Sequence, residues 1–249
     1  MKTHPTPFHK TVRSAFTLVE MLVVIAIISI LMTLGSIGLS SIGGKGVAGG
    51  VSTSEALFDE ARNNAVGRNL RAAVLVAKTL TNNPADDLRR IVVAYENTNA
   101  DGEPFKNPDG TPVDNPDWVL SSRGALLPEK TFFSEEFSNQ NHSGGGGDIP
   151  TITHTKLKLS PNGPTVKANY HGQWFIYEFN SQGICTTPGA SFIIGSGSRA
   201  LTRSSAEAPP RTTASGKRDF GGFVIWRNGR TSVFRSPDQM GLPASVSEF

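Results

Sequence analysis

The stretch FTLVEMLVVIAIISILMTL runs from Phe16 to Leu34 and contains a single charged residue, Glu20. Continued to Leu39, the segment has 24 residues, which form a helix of about 36 Å at a rise of about 1.5 Å per residue. This length is enough to cross a hydrocarbon core of about 30 Å. The sequence therefore predicts a membrane-spanning helix over residues 16–39, and this helix decides how the rest of the chain is arranged.

The residues before this helix are basic. Lys2, Lys10 and Arg13 precede Phe16, and residues 1–15 contain no Asp or Glu. Without them the basic residues fall from 24 to 21, equal to the 21 acidic residues. The positive balance therefore belongs to a targeting segment, and no nucleic-acid partner is predicted. Basic residues on the N-terminal side of the span predict a cytoplasmic N-terminus and a C-terminal body outside the membrane.

Glu20 is unusual inside an apolar segment, because a carboxylate there costs about 2.5–3.5 kcal/mol on insertion scales. A secretory signal peptide avoids such a residue. One interpretation is that Glu20 lies at the headgroup boundary and is only tolerated. The other is that it has a positive partner. A cut between Ala15 and Phe16 creates an α-amino group, and on a neighbouring subunit that amine is such a partner.

The run from Ser14 to Met21, SAFTLVEM, together with the apolar segment, resembles the class III signal of type IV prepilins. The resemblance implies that a prepilin peptidase cuts before Phe16 and N-methylates it, and that Glu20 then guides subunits into a filament. The sequence has Ala15 where the family usually has Gly. Because Ala is also small, we expect cleavage there, at a lower rate.

The resemblance implies a structural subunit and no enzyme or cofactor. Its expected partners are the prepilin peptidase, other pilin or pseudopilin subunits, an inner-membrane assembly platform, and membrane lipid before assembly. The chain is expected first in the inner membrane, with its body in the periplasm, and then in a pilus or a type II secretion pseudopilus. An alternative is a membrane-anchored extracytoplasmic binding protein that never polymerises. An anchored hydrolase is a weaker alternative, because the sequence contains no recognisable catalytic motif.

The segment after the span predicts a hinge and then a second helix. Seven glycines fall between Gly35 and Gly50, and each costs about 1 kcal/mol relative to Ala inside a helix. We therefore expect a Gly-rich hinge over residues 40–51. Ser52-x-x-Glu55 is a capping box that predicts a helix start, and Gly67 predicts its end. Leu57, Ala61 and Ala65, with Phe58 beside them, form its apolar face.

The remaining sequence predicts strands, so that residues 52–249 form a pilin-like α+β domain with an antiparallel β-sheet. Asn228-Gly229 predicts a two-residue hairpin turn between the last two strands. The eight candidate strands are Arg71–Ala77, Leu88–Tyr95, Trp118–Ser122, Thr155–Leu159, Trp174–Phe179, Ser191–Ile194, Phe223–Arg227 and Arg230–Arg235.

Three segments of this domain carry a second resemblance. The runs Glu60–Leu70, Phe179–Gly183 and Phe223–Arg230 are similar to minor pseudopilins of the GspH/FimT kind. In those proteins a helix rich in Ala, Arg and Asn precedes a sheet, and a late Gly-Arg hairpin closes the domain. The resemblance implies a low-copy subunit near the tip of a filament.

The loops offer few candidate ligands. Asn97, Asn99 and Asp101 alternate before a Gly, as oxygen ligands do in calcium loops, although a plain turn-rich insertion has the same composition. Gly144–Gly147 and Ala200–Lys217 are predicted to be mobile exposed loops, with binding at a filament tip as the alternative. The single cysteine, Cys185, excludes an internal disulfide and is predicted to be a buried small apolar residue.

Overall fold

The computed structural model describes residues 21, 23, 25, 42–199, 209–212, 219–243 and 245–248. The chain divides into two compact units, Met1–Ile42 and Gly43–Phe249. In the first unit, Met21, Val23 and Ile25 are helical. The second unit contains one long helix and two β-sheets, which agrees with the predicted α+β class.

Helix α1 spans Ile42–Arg68. Within the described ranges, eleven strands follow: β1 (Ala72–Leu80), β2 (Arg90–Glu96), β3 (Trp118–Leu120), β4 (Ala125–Leu126), β5 (Thr131–Phe133), β6 (Thr151–Thr153), β7 (Leu157–Lys158), β8 (Gly172–Phe179), β9 (Ser191–Ser196), β10 (Phe220–Ile225) and β11 (Thr231–Val233). Short 3₁₀ turns lie at Pro84–Asp86, His154–Lys156, Ala168–Tyr170 and Pro237–Met240.

The strands form a large sheet and a small sheet. The large sheet has the order β6-β8-β1-β2-β3-β7, and β4 pairs with the free end of β2. The small sheet has the order β11-β10-β9-β5. Pairing is antiparallel except between β3 and β7, where Trp118 faces Leu157 in parallel register. The prediction of one antiparallel sheet is therefore wrong in two respects, the number of sheets and this parallel pair.

The start of α1 contradicts the predicted hinge. The described helix already includes Ile42, ten residues before Ser52, so the predicted capping box is not its start and residues 42–51 are helical. Residues 40 and 41 lie outside the described part of the chain. Val47 and Val51 are buried in the main core, and the burial of their apolar side chains offsets the low helix propensity of the intervening glycines.

Two neighbouring glycines of α1 differ in what surrounds them. A Cβ atom on Gly50 would lie 2.7 Å from Ile194 Cδ1, whereas a Cβ atom on Gly49 would meet nothing within 4 Å. Gly50 therefore lets the helix approach the small sheet closely. We expect Gly50→Leu to lower the free energy of unfolding by about 1–3 kcal/mol through overpacking. The matched Gly49→Leu should raise it by up to about 1 kcal/mol, because Leu is the better helix former.

Urea denaturation of both variants measures this difference. Equal stability of the two variants would show that the approach of α1 to Ile194 places no constraint on residue 50.

The rest of α1 agrees with the predicted face. Leu57, Phe58, Ala61 and Ala65 are buried. The end differs by one residue from the prediction at Gly67, because the helix continues to Arg68. Asn69 then adopts a left-handed conformation with φ 54°, and the Leu70 N–H donates to Ala65 O at 3.3 Å. This pattern is a Schellman motif in which Asn replaces the usual Gly.

The large sheet is buried on both faces. Along β8, Phe175, Tyr177 and Phe179 contribute to the main core, while Trp174 and Ile176 point into a second core on the opposite face. This confirms the prediction that these aromatic residues form a doubly covered strand. Phe58 is at the centre of the main core, where its ring meets Tyr177, Phe179, Phe192 and Phe223 edge-to-face, with centroids 5.1–6.2 Å apart.

Each of the eight predicted strands overlaps an observed strand. Three strands were not predicted, namely β4, β5 and β6, which have two or three residues each. Such segments are shorter than the runs of about four to eight residues in which alternation can be recognised.

The predicted hairpin between β10 and β11 is present, but its loop has three residues instead of two. Trp226 N–H donates to Arg230 O, and Gly229 N–H donates to Trp226 O, both at 2.8 Å. Gly229 has a positive φ of 72°, whereas Asn228 is not among the residues with positive φ. The loop is therefore a type I turn followed by a left-handed Gly.

Candidate functional site

The predicted processing and assembly residues Ala15, Phe16 and Glu20 lie outside the described part of the chain, so their roles stay predictions. Immediately after them, Met21, Val23 and Ile25 are helical, and about half or more of each side chain is exposed, at 52%, 48% and 63%. Three exposed apolar side chains within five residues of a helix form a surface that favours lipid or another apolar helix over water.

No helix in the described ranges is both long enough and apolar enough to span a bilayer. The predicted span over residues 16–39 lies almost wholly outside those ranges. The membrane-spanning helix therefore stays a prediction.

The candidate calcium ligands take part in turn hydrogen bonds. Asn97 is buried, and its Oδ1 accepts the Asn162 N–H at 3.1 Å. Asn99 Oδ1 accepts the Asp101 N–H at 2.9 Å and the Glu103 N–H at 3.0 Å. These bonds are those of a turn-rich insertion. The calcium hypothesis is not tested by them, and the described residues contain no group of three or more His, Cys, Asp or Glu arranged for a metal ion.

The loop over residues 97–117 is fixed to the large sheet by Arg71. Its Nε donates to Glu96 Oε2 at 2.9 Å and its Nη2 to Glu96 Oε1 at 2.6 Å, while Nη2 also donates to Val113 O at 2.5 Å. The hydrogen bond with Glu96 is the main cause of the raised pKa of Arg71. Burial raises the pKa of the nearby Glu178 carboxyl. A bidentate pair of this kind holds the base of the loop in one geometry.

The three histidines of the domain make structural contacts. His154 and His171 stack with ring centroids 4.3 Å apart. His154 Nδ1 accepts the Gly172 N–H at 3.1 Å, and His171 Nε2 lies 3.1 Å from Val166 O. His142 Nε2 lies 2.7 Å from Gln239 O. These partners are backbone groups, so the imidazoles join neighbouring loops.

Cys185 is buried, which confirms its predicted environment. Its Sγ donates to Thr187 O at 3.3 Å, and burial raises the pKa of the thiol. A thiol with a raised pKa is a poor nucleophile.

Of the two predicted mobile loops, one is folded and the other lies largely outside the described residues. Around Gly144–Gly147, Asn139 and Asp148 form an antiparallel bridge, and the Gln140 N–H donates to Gly147 O at 2.9 Å. This segment is therefore a short hairpin. Three of its four glycines are exposed, as predicted, and its mobility stays a prediction. In the second loop, over 200–217, only residues 209–212 are described.

A cavity of about 380 Å³ lies between the 97–117 loop and the segment after β7, and sequence reasoning missed it. Its charged residues are Asp117, Lys156 and Lys158. The spacing of the two lysines was the available signal, because residues i and i+2 of an extended segment share a face. The partner Asp117 is not recognisable from the sequence, since it is 39 residues from Lys156.

Comparison with known protein families gives a match in the N-terminal part of the chain. The model of the prokaryotic N-terminal methylation motif matches residues 10–36. This range contains two of the basic residues before the predicted cut, Lys10 and Arg13, together with the Ala15–Phe16 bond and Glu20. No curated protein and no solved structure matches the chain.

The matched motif begins in the basic segment and continues through most of the apolar segment. It points to a structural protein made as a precursor and not to an enzyme. The chain carries the class III signal of the type IV pilin and pseudopilin family.

Proposed function

We propose that this chain is a minor structural subunit of a type IV pilus or of a type II secretion pseudopilus, of the GspH/FimT-like kind. The observation that carries the proposal is the methylation motif over residues 10–36. The motif covers Lys10 and Arg13, the small residue at the cut and most of the apolar segment, in that order.

In this proposal a prepilin peptidase cuts between Ala15 and Phe16 and methylates the new N-terminus. Before assembly, the apolar segment holds the subunit in the inner membrane with its N-terminus in the cytoplasm and the domain from Gly43 onward outside. During assembly, the same segment leaves lipid and packs against the equivalent helices of other subunits. Exposed apolar side chains such as Met21, Val23 and Ile25 support this role, because they favour either environment over water.

The placement among minor subunits rests on the similarity of three short segments to the GspH/FimT kind and on the long loops of the domain. A major subunit packs against identical copies of itself, so it would have to accommodate the loop over residues 97–117 in those contacts. A low-copy subunit at a filament end is free of that constraint.

Mass spectrometry of the N-terminal peptide tests the processing step. We expect protein from cells with the cognate prepilin peptidase to begin at N-methylated Phe16. Protein from cells without that enzyme should retain residues 1–15. The matched variant Ala15→Gly should be processed faster, because it restores the residue that the family usually has before the cut.

An intact N-terminus in the presence of the active peptidase would contradict the proposal. It would favour the alternative of a membrane-anchored binding protein that does not polymerise.

A further inference from the structure

The cavity beside Asp117 has no role in filament assembly as proposed above. One wall is the loop over residues 97–117, and the other is the short hairpin that follows β7. In that hairpin Lys158 pairs with Thr165 in an antiparallel bridge. The volume of about 380 Å³ lies in the lower part of the range of about 300–1,000 Å³ found for small-molecule sites.

Two hydrogen bonds of Asn97 fix the walls of the cavity. The Asn97 N–H donates to Asp117 O at 2.8 Å, which closes the base of the 97–117 loop. The Asn162 N–H donates to the side-chain Oδ1 of Asn97 at 3.1 Å. Asn162 reaches this position in a left-handed conformation with φ 53°, and Asn97 is only 5% exposed. The cavity is therefore formed before a ligand arrives, which reduces the entropy that binding has to overcome.

The charged groups of the cavity are two ammonium groups that share one carboxylate. Lys156 Nζ lies 3.6 Å from Asp117 Oδ1, and Lys158 Nζ lies 3.4 Å from Asp117 Oδ2. Lys156 Nζ also donates to Asn115 O at 2.9 Å. Asp117 is the sole acidic residue among those lining the described cavity. Two cations against one anion leave a net positive charge, and each ammonium has three donors. An incoming anion can use donors that Asp117 does not occupy.

The lining of the cavity also contains apolar side chains. Phe105 is 42% exposed there, and Val113 and Pro116 lie in the same lining. The side chains of Asn115 and Asn162 are exposed at the rim. An exposed phenyl ring offers a surface for the C–H face of a sugar ring. Amide groups at the rim both donate to and accept from hydroxyl groups.

We propose that this cavity binds a carboxylate-bearing sugar unit of an acidic polysaccharide. The carboxylate meets Lys156 and Lys158, and the sugar ring packs on Phe105. Both features are needed for this choice of ligand. A neutral sugar leaves the ammonium pair unused, and inorganic phosphate leaves the phenyl ring unused. The proposal is independent of filament assembly, so either one can fail without the other.

Titration calorimetry of the full chain in detergent micelles tests the proposal, with D-glucuronate as the probe. D-Glucose and inorganic phosphate are the comparison ligands. We expect the dissociation constant for glucuronate to be lower than that for glucose by at least about tenfold, which corresponds to about 1.4 kcal/mol. The double variant Lys156→Gln/Lys158→Gln should lose at least about tenfold in affinity for glucuronate. Phe105→Ala should weaken glucuronate binding and leave phosphate binding unchanged.

Two matched variants control for changes of charge and of apolar surface elsewhere. Lys167→Gln removes an exposed lysine outside the cavity, and Leu126→Ala removes an exposed apolar side chain. Both should bind glucuronate as the unchanged protein does, and circular dichroism checks that every variant is folded. Equal affinity for glucose and glucuronate would overturn the proposal, as would the absence of glucuronate binding at about 10 mM ligand. Equal binding of phosphate and glucuronate with no effect of Phe105→Ala would reduce the cavity to a simple anion site.

Discussion

Replacing Arg199 by Met is expected to lower the free energy of unfolding at pH 7 by about 1–1.5 kcal/mol, since each pH unit above the pKa of a carboxyl corresponds to about 1.4 kcal/mol. Arg199 Nη2 lies 3.7 Å from Asp87 Oδ2, and the two side chains are 5% and 0% exposed. Asp87 Oδ1 accepts the Leu80 N–H at 2.6 Å. Without Arg199, the Asp87 carboxylate has no opposing charge in the core and takes up a proton, which limits the loss of stability.

The loss of stability caused by this substitution depends on pH, and the titration of the Asp87 carboxyl sets the direction of that dependence. Burial raises its pKa from 3.8 to about 6, although the positive charge of Arg199 acts in the opposite direction. The folded state therefore binds a proton more tightly than the unfolded state. Tighter proton binding by Asp87 in the folded state stabilises the fold. This stabilisation is fully present below about pH 3.8 and is lost as the pH rises through about 6. Removing Arg199 raises the pKa of Asp87 further, so the loss of stability in the variant is largest at pH 7 and smaller at pH 5.

Urea denaturation at both pH values, followed by tryptophan fluorescence, measures this prediction. The double variant Asp87→Asn/Arg199→Met is the control, because it removes both charges and keeps similar side-chain volumes. At pH 7 it should be about as stable as the unchanged protein, or more stable. A loss in Arg199→Met that is the same at pH 5 and pH 7 would contradict the assignment to the Asp87 carboxylate.

Replacing Glu20 by Ala is expected to leave membrane insertion and cleavage intact and to reduce incorporation into filaments by at least about tenfold. Insertion itself should improve, because a carboxylate inside an apolar helix costs about 2.5–3.5 kcal/mol. Incorporation should fall, because the proposed partner of Glu20 is the α-amino group of Phe16 on a neighbouring subunit. That pair would set the register between helices, while the burial of apolar surface supplies most of the cohesion.

Immunoblotting of sheared filament and membrane fractions from cells with the cognate assembly machinery measures this ratio. Glu20→Gln has nearly the same shape without the charge and should behave as Glu20→Ala does. Glu20→Asp keeps the charge and should retain part of the incorporation. Glu60→Gln on α1 controls for loss of a carboxylate elsewhere. Normal incorporation of Glu20→Ala would remove the register role, and the processing test at Phe16 would stand unaffected.

The sequence predicted those elements whose signal lies within a few neighbouring residues. Strand β8 is an example, because its alternating aromatic residues mark burial on both faces. The apolar face of α1 is another, because Leu57, Ala61 and Ala65 recur at helical spacing. The class III signal was recognisable for the same reason, since its parts are contiguous.

The errors occurred where contacts distant in the sequence decided the outcome. Gly49 and Gly50 predict a break in the helix, yet Val47 and Val51 are buried against the domain and hold it continuous. The parallel pair of β3 and β7 joins Trp118 to Leu157, and no local pattern specifies that contact. The cavity depends on the same pair, which places Asp117 beside Lys156 and Lys158.

The order of strands in the large sheet has a consequence for how the domain folds. Strand β1 pairs along its length with β8, and Ala72 faces Phe179 across more than a hundred residues of chain. During synthesis β1 is therefore complete well before its neighbour exists, and one of its edges has no native partner in that interval. Pairings of such high sequence separation form slowly, because the long loop must close before contacts compensate for the lost entropy. Unpaired apolar strands are also prone to aggregation. In the proposed function the first segment is held in a membrane, which would keep such intermediates apart from one another, so the predicted anchor would also aid folding.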